Sequence, residues 1–310
     1  MRSDREMLEL ILDTATSDAR VRAVVMSGSR VNPNVPSDRF QDFDIIYFVT
    51  EVESFTDDPA WIDRFGDRMI LQTPDAMGDP PPINDGRFAY LMQFADGNRI
   101  DLTLFPIAQL NVFKRESLSS LLLDKDGAFA PLPSASDSDY LPQPPSAKEF
   151  ADCCNEFWWV SAYVAKGLWR EQIIYAKHMF EHVVRVQLMK MLVWDAGVKT
   201  QFTVGFGSHG KYLKQYLEPR LWTMLEKTYS DAGYDTTWDA LYVTCDLFRV
   251  VANDVAAHFG FEYPRSDDER VSTHLRNVRL LPKDHEKHTQ PLLSERGPSP
   301  AAPFKHKHLK

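Results

Sequence analysis

The chain has 310 residues, 44% hydrophobic and 25% charged, with a formal net charge of -9. That is enough sequence for one large or two medium cores. The acidic balance excludes an overall basic field for nucleic acid and suits a cationic small molecule better. No charged segment followed by an apolar leader opens the sequence, and no run approaches the ~20 apolar residues of a membrane helix, so a cytoplasmic protein is expected. Three cysteines, Cys153, Cys154 and Cys245, have no metal-ligand spacing and read as reduced, buried fillers.

Taken in chain order, residues 4–19 place Met7, Leu8, Ile11, Leu12 and Ala15 at helical spacing behind a Ser3 cap and Glu6. "VRAVVM" reads as a short buried strand, Gly28-Ser29 as a turn, and "VNPNVPSDR" as a loop with two prolines. "DFDIIYFV" and "NRIDLTLF" are two further strands. Between them, "DPAWIDRFGDRMILQ" reads as a helix running into a strand, and "RFAYLMQF" as another strand after a proline-rich break. The Asp-Gly pair in "QFADGNRI" favours a tight hairpin.

The character changes at "PLPSASDSDYLPQPPSAKEF", where prolines and serines cluster and after which the period is helical. Ser146 with Glu149 forms a capping box. Phe150, Cys154, Phe157, Val160, Val164 and Leu168 then make an apolar stripe. A second helix covers "REQIIYAKHMFEHVVRVQLMKMLVWDAG" and ends at Gly197; others follow near "GKYLKQYL", "PRLWTMLEKTYS" and "TWDALYVTCDLFRVVANDVAAHFG". The expected fold is α+β. Residues 1–140 form a mixed β-sheet with flanking helices, 141–265 an α-helical bundle, and 266–310 a charged, proline-containing, largely disordered tail.

On a strand, residues i and i+2 share a face, so Asp42 and Asp44 point the same way, as do Asp101 and Thr103. If the two strands are neighbours, three carboxylates converge and require a positive partner. Oxygen-only ligands suit Mg²⁺, and two such ions can clamp an in-line phosphoryl displacement. The Gly28-Ser29 turn then acquires a purpose, because glycine admits a close phosphate and the Ser29 hydroxyl with nearby N–H groups can bind it.

The order Gly28-Ser29, Asp42-x-Asp44 and a later strand aspartate, Asp101, resembles the nucleotidyltransferase superfamily signature. The blocks "GSR", "QDFDIIYFVTEVESF", "DGNRIDLTLFP", "LLLDKD" and "EFADCCNEFWWVSAYVAKGLWR" are similar to the aminoglycoside 6-adenylyltransferases, which inactivate streptomycin. The resemblance runs from the first helix to about Tyr263. It implies an N-terminal nucleotidyltransferase domain and transfer of AMP from ATP, the co-substrate, to an aminoglycoside hydroxyl, with pyrophosphate released. It also implies two Mg²⁺ ions on Asp42 and Asp44, the β- and γ-phosphates on Gly28 and Ser29 with help from Arg30, and Asp101 completing the metal site or accepting the hydroxyl proton.

The helical half offers further candidates. Lys211 and Lys214 lie within a turn of one another near a glycine-rich helix start, where triphosphate anions bind. Asp152, Glu156, Trp159 and Tyr163 form one stripe, and acids with aromatic platforms suit a polycationic sugar. Glu181 is a candidate base or substrate ligand on the second helix, in a polar stripe with Tyr175, His178 and Arg185. His178 and His182 have zinc spacing but no third ligand. Two rival readings use the same fold: adenylylation of a protein or RNA end, and a non-catalytic nucleotide-binding module. The second is disfavoured because all three aspartates are present. Exposed aromatics permit a monomer or a homodimer, and no nucleic-acid or membrane partner is expected.

Overall fold

A computed structural model describes residues 1–79, 85–131 and 133–283. The chain divides into two compact units. The first is Met1–Pro142 with Phe202–Gly207, and the second is Gln143–Gln201 with the chain from Ser208 onward.

The first unit is built on six strands. Helix α1 (Asp4–Ser17) opens with the expected capping box, Ser3 accepting from the Glu6 N–H and Glu6 accepting in return. Strands β1 (Val21–Ser27), β2 (Phe43–Val49), β3 (Arg68–Gln72), β4 (Phe88–Phe94), β5 (Arg99–Pro106) and β6 (Ser119–Asp124) follow, with the single turn of helix α2 (Glu53–Thr56) after β2. They form one mixed sheet in the order β3-β4-β5-β2-β1-β6. Among the described residues only β2 and β5 are parallel; every other pairing there is antiparallel.

The alternation of β2 divides the core in two. Phe43, Ile45 and Tyr47 pack with Met7, Ile11 and Ala15 of α1 and with Trp61 and Phe65. Phe48 packs on the opposite face with Ala23, Val25 and Phe105, beside Ile46 and Phe113. Two details depart from the sequence expectation. "PAWIDRF" is a 3-10 helix rather than an α-helix, and β6 was not foreseen, because its three consecutive leucines show no alternation and are only half-buried.

The second unit is helical: α3 (Ala147–Trp169), α4 (Ile173–Met179), α5 (Arg185–Lys199), α6 (Pro219–Lys227), α7 (Tyr234–Phe259) and α8 (Arg265–Leu280). Phe157 of α3 stacks on Phe248 of α7 with ring centroids 3.7 Å apart. Cys153, Cys154 and Cys245 are buried free thiols. The expected single helix through Gly197 is interrupted. A π-turn at Phe180–Val184 separates α4 from α5, and α5 runs past Gly197 to Lys199. The expected helix over "GKYLKQYL" is two isolated 3-10 turns, Ser208–Gly210 and Leu213–Gln215. Among the described residues, no helix is long and apolar enough to cross a membrane.

The boundary at residue 266 is corrected by α8. Fifteen of its sixteen residues, 266–280, fall within the expected tail, yet they are helical because a polar network holds them. Arg249 of α7 donates from Nε and Nη2 to the two oxygens of Asp268, at 2.6 and 2.7 Å. Tyr263 and Ser272 hydroxyls donate to the same carboxylate at 2.8 and 2.9 Å. Residues 284–310 of the expected tail lie outside the described residues.

The Asp268 side chain is 6% exposed. Burial alone would raise its pKa, but the bonds from Arg249, Tyr263 and Ser272 outweigh that and hold it below the ordinary value. Its contribution to stability is therefore present above the unfolded carboxylate pKa, about 3.9, and lost as pH falls through the lower folded value. Asp268→Ala is expected to cost about 2 kcal/mol, because it strands Arg249 and the Tyr263 hydroxyl. Denaturant melts at pH 7 and pH 3 test this: the difference between wild type and variant should shrink at the lower pH.

Candidate active site

Four strand ends meet along one edge of the sheet. Asp44 of β2 is in register with Asp101 of β5, and on its other side with Ser27 of β1, which in turn pairs with Ser119 of β6. Residues directly opposite one another project from the same face. Asp101, Asp44, Ser27 and Ser119 thus form one row across four strands. The condition set by the sequence, that the two aspartate-bearing strands be neighbours, is met, and by the one parallel pairing in the sheet.

Past Ser27 the chain turns sharply. Gly28 has φ +76°, and its N–H donates to Leu118 O at 3.2 Å. A Cβ at Gly28 would stand 2.1 Å from Asp44 Oδ2 and 2.9 Å from its Cγ. Only glycine fits both the left-handed conformation and the carboxylate beside it. The following residues Gly28–Val31 form a 3-10 turn that carries Ser29, whose carbonyl accepts from Gln41 Nε2 at 3.2 Å.

Arg30 was expected among the nucleotide-binding residues, and its contacts show a structural task. Its side chain is 8% exposed. Nε and Nη2 donate to the carbonyls of Asp42 and Gln41 at 3.1 and 2.8 Å, Nη1 meets Asp4 of α1 at 2.8 Å, and the guanidinium lies 3.6 Å from the Phe43 ring centroid. It pins the loop that delivers Asp42 to the mouth of β2. A buried planar cation with five donors is suited to such a backbone clamp.

The electrostatics of the row are those of crowded acids. Burial first, then the charges of Asp101 and Asp42, push the Asp44 carboxyl up to about 6, against the opposing pull of Arg99. Arg99 was not singled out from the sequence, although the i, i+2 rule places it on the face of Asp101. Its Nε and Nη2 lie 2.7 and 2.8 Å from the two oxygens of Asp101, and its Nε is 3.6 Å from Asp42 Oδ2. Glu116 and Tyr140 were also missed. The Tyr140 hydroxyl donates to Glu116, two residues before Leu118, and the Glu116 charge reaches Asp44.

Among the described residues no three acidic, histidine or cysteine side chains are disposed as a ready metal site. The three aspartates, expected to converge on a cation, instead flank Arg99. The donor set nevertheless fits Mg²⁺: it is all carboxylate oxygen, borne on paired strands, and burial together with mutual repulsion raises Asp44. Asp42 and Asp44 would hold such an ion, with Asp101 at its side once Arg99 moves.

The remaining candidates belong to the second unit. Lys211 and Lys214 are exposed, near 3-10 turns rather than a helix start, with their ammonium groups over Tyr212 and Trp222 at 5.1 and 5.2 Å. On α3, Asp152 pairs with Lys148 at 2.5 Å, Glu156 is exposed, and Trp159, 60% exposed, donates to the Tyr163 hydroxyl at 2.8 Å. The stripe expected there is present on the surface. Glu181 sits in the π-turn, paired with Arg185 and with Lys177 at 3.3 Å. Burial would raise its carboxyl, but Arg185 and Lys177 outweigh it and hold it below its ordinary value. The extra residue of the π-turn also shifts the polar stripe expected through it.

A carboxylate row closed by a Gly-Ser turn, with a helical unit following the sheet, is the construction of a nucleotidyltransferase. The sequence model of the streptomycin adenylyltransferase family matches residues 1–278. Proteins named aminoglycoside 6-adenylyltransferase are 42% identical in Campylobacter jejuni, over 89% of this chain and 95% of theirs, and 40% identical in Bacillus subtilis, over 86% and 95%. One from Staphylococcus aureus is 34% identical over 89% and 99%. A crystal structure of an aminoglycoside 6-adenyltransferase from Bacillus subtilis is 36% identical, covering 91% of this chain and all of that one, with a TM-score of 0.45. The chain belongs to the streptomycin adenylyltransferase family.

Proposed function

We propose that the chain transfers AMP from ATP to a hydroxyl of an aminoglycoside, the 6-hydroxyl of streptomycin, and releases pyrophosphate, conferring resistance to the antibiotic. The observation that carries this reading is the register of Asp44 with Asp101 on one side and Ser27 on the other, which sets the acids beside the Gly28-Ser29 turn on one edge. The names of the relatives supply the acceptor class. The acids at that edge, Glu116 included, suit a polycation.

The reaction is an in-line displacement. The acceptor hydroxyl oxygen attacks the α-phosphorus and gives up its proton to solvent or to a carboxylate of the row, the bond from the α-phosphorus to the bridging oxygen of the β-phosphate breaks, and pyrophosphate departs. Mg²⁺ bound to the aspartates would neutralise charge on the phosphates and orient them. Gly28 lets the backbone approach the triphosphate, and Ser29 offers its hydroxyl there. Arg30 holds the Asp42 strand entry in place from beneath. Asp101 has both oxygens engaged by Arg99, and would complete the metal site or accept the hydroxyl proton once that pair opens. Positioning and electrostatics supply the rate, and no covalent protein intermediate is required. ATP as donor places the reaction in the cytoplasm.

The test is pyrophosphate release from Mg·ATP with streptomycin, kanamycin, spectinomycin or no acceptor. Release with streptomycin alone is expected, together with streptomycin-AMP in the mass spectrum. Release that ignores the acceptor, or that answers to a protein or RNA instead, would overturn the assignment.

A further inference from the structure

The carboxylate row carries its own cation. Arg99 opens β5 two residues before Asp101, and its guanidinium folds back along its own strand to grip both Asp101 oxygens at 2.7 and 2.8 Å. The same Nε lies 3.6 Å from Asp42 Oδ2. A planar fork of this kind matches a carboxylate in two parallel bonds. One guanidinium therefore engages two of the three acids from which a divalent ion would draw oxygen ligands. Ion and guanidinium are both cations that need the same lone pairs, so they cannot be held there together without repelling one another.

We propose that Arg99 is an exchangeable internal counter-cation for the Asp42, Asp44 and Asp101 row, holding the acids in place in the free protein and competing with the divalent ion that replaces it. This rests on the reading above that these acids bind such an ion. The Arg99 side chain is 38% exposed, so water can take over its donors as it leaves. One guanidinium among three carboxylates leaves the corner net negative and still attractive to a divalent ion. The metal alone must displace Arg99 with no new partner for it. The metal arriving with a triphosphate brings anionic oxygens to which the released guanidinium can bind. Arg99 thus makes the site discriminate against the free ion in favour of the metal–nucleotide complex.

The experiment is a titration of Mn²⁺, followed by the electron paramagnetic resonance signal of the free ion, into the nucleotide-free protein. Wild type, Arg99→Gln, Arg99→Lys and Asp44→Asn are compared. Arg99→Gln is expected to bind Mn²⁺ about tenfold tighter than wild type, and Asp44→Asn to lose binding. Arg99→Lys keeps the charge but not the fork and should fall between wild type and Arg99→Gln, which keeps the test open if the glutamine variant does not fold. With Mn·ATP the advantage of Arg99→Gln should disappear. Equal or weaker Mn²⁺ binding by both Arg99 variants would overturn this inference while leaving the metal reading intact. Absence of Mn²⁺ binding in every protein, with and without ATP, would overturn both.

Discussion

The Asp44→Asn protein is expected to fold, to melt about 2–4 °C above wild type in metal-free buffer, and to lose at least about a thousandfold in adenylyl transfer. The two changes have one cause. Asp44 is half-buried beside Asp101 and near Asp42, and its carboxyl is pushed up to about 6 by burial first and then by those two charges. An isosteric amide removes the repelling charge, a relief of about 1 kcal/mol after allowance for solvent screening. The same charge is what would hold the metal and offset charge building on the transferred phosphoryl group, where losing one electrostatic contact costs about 4 kcal/mol. Calorimetry in EDTA and a pyrophosphate assay on the same preparations read both effects. Activity within tenfold of wild type would remove Asp44 from the metal site, and a lower melting temperature would mean that the row is not strained by its charges. A site that is destabilising when empty is expected where function and stability compete.

What could be read from the sequence follows the range of each interaction. Asp42 and Asp44 declared themselves because same-face alternation is a property of two residues on one strand. Asp101 required β2 and β5 to be neighbours, and their residue-for-residue register is a tertiary fact that no local pattern encodes. Arg99 obeys the same rule as Asp44, but a lone arginine at a strand start carries no motif that marks it as the partner of those acids. Arg30 carries a structural role that its sequence context does not announce. A cation beside a Gly-Ser turn suggests phosphate, but its three partners come from Asp4, Gln41 and Asp42, with Phe43 beneath it. Helix α8 has only Leu275 and Val278 as buried apolar residues, so composition argued against it, and the deciding term is the Arg249–Asp268 network. The π-turn at Phe180 leaves no mark in a hydrophobic period that continues on both sides of it.

Gly28→Ala should be nearly as damaging to activity as loss of Asp44, by geometry rather than charge. At φ +76° an alanine pays about 1–2 kcal/mol for the left-handed conformation alone. Its methyl would then lie 2.1 Å from Asp44 Oδ2, a distance no real contact tolerates, so the carboxylate must rotate away from its row or the turn must lift. Either movement misplaces a metal ligand or the phosphate-binding backbone. A loss of about a hundredfold or more in adenylyl transfer is expected, since small displacements of catalytic groups cost that much. The two contributions can be separated by a double-mutant cycle. In an Asp44→Ala background the clashing oxygen and its carbon are gone, and the nearest remaining Asp44 atom, Cβ, would be an ordinary 3.4 Å away. Gly28→Ala should then destabilise by the backbone cost only, at least about 1 kcal/mol less than in wild type. Additive effects in that cycle would show that Gly28 serves the turn alone; a coupling of the expected sign would show that glycine is there to make room for Asp44.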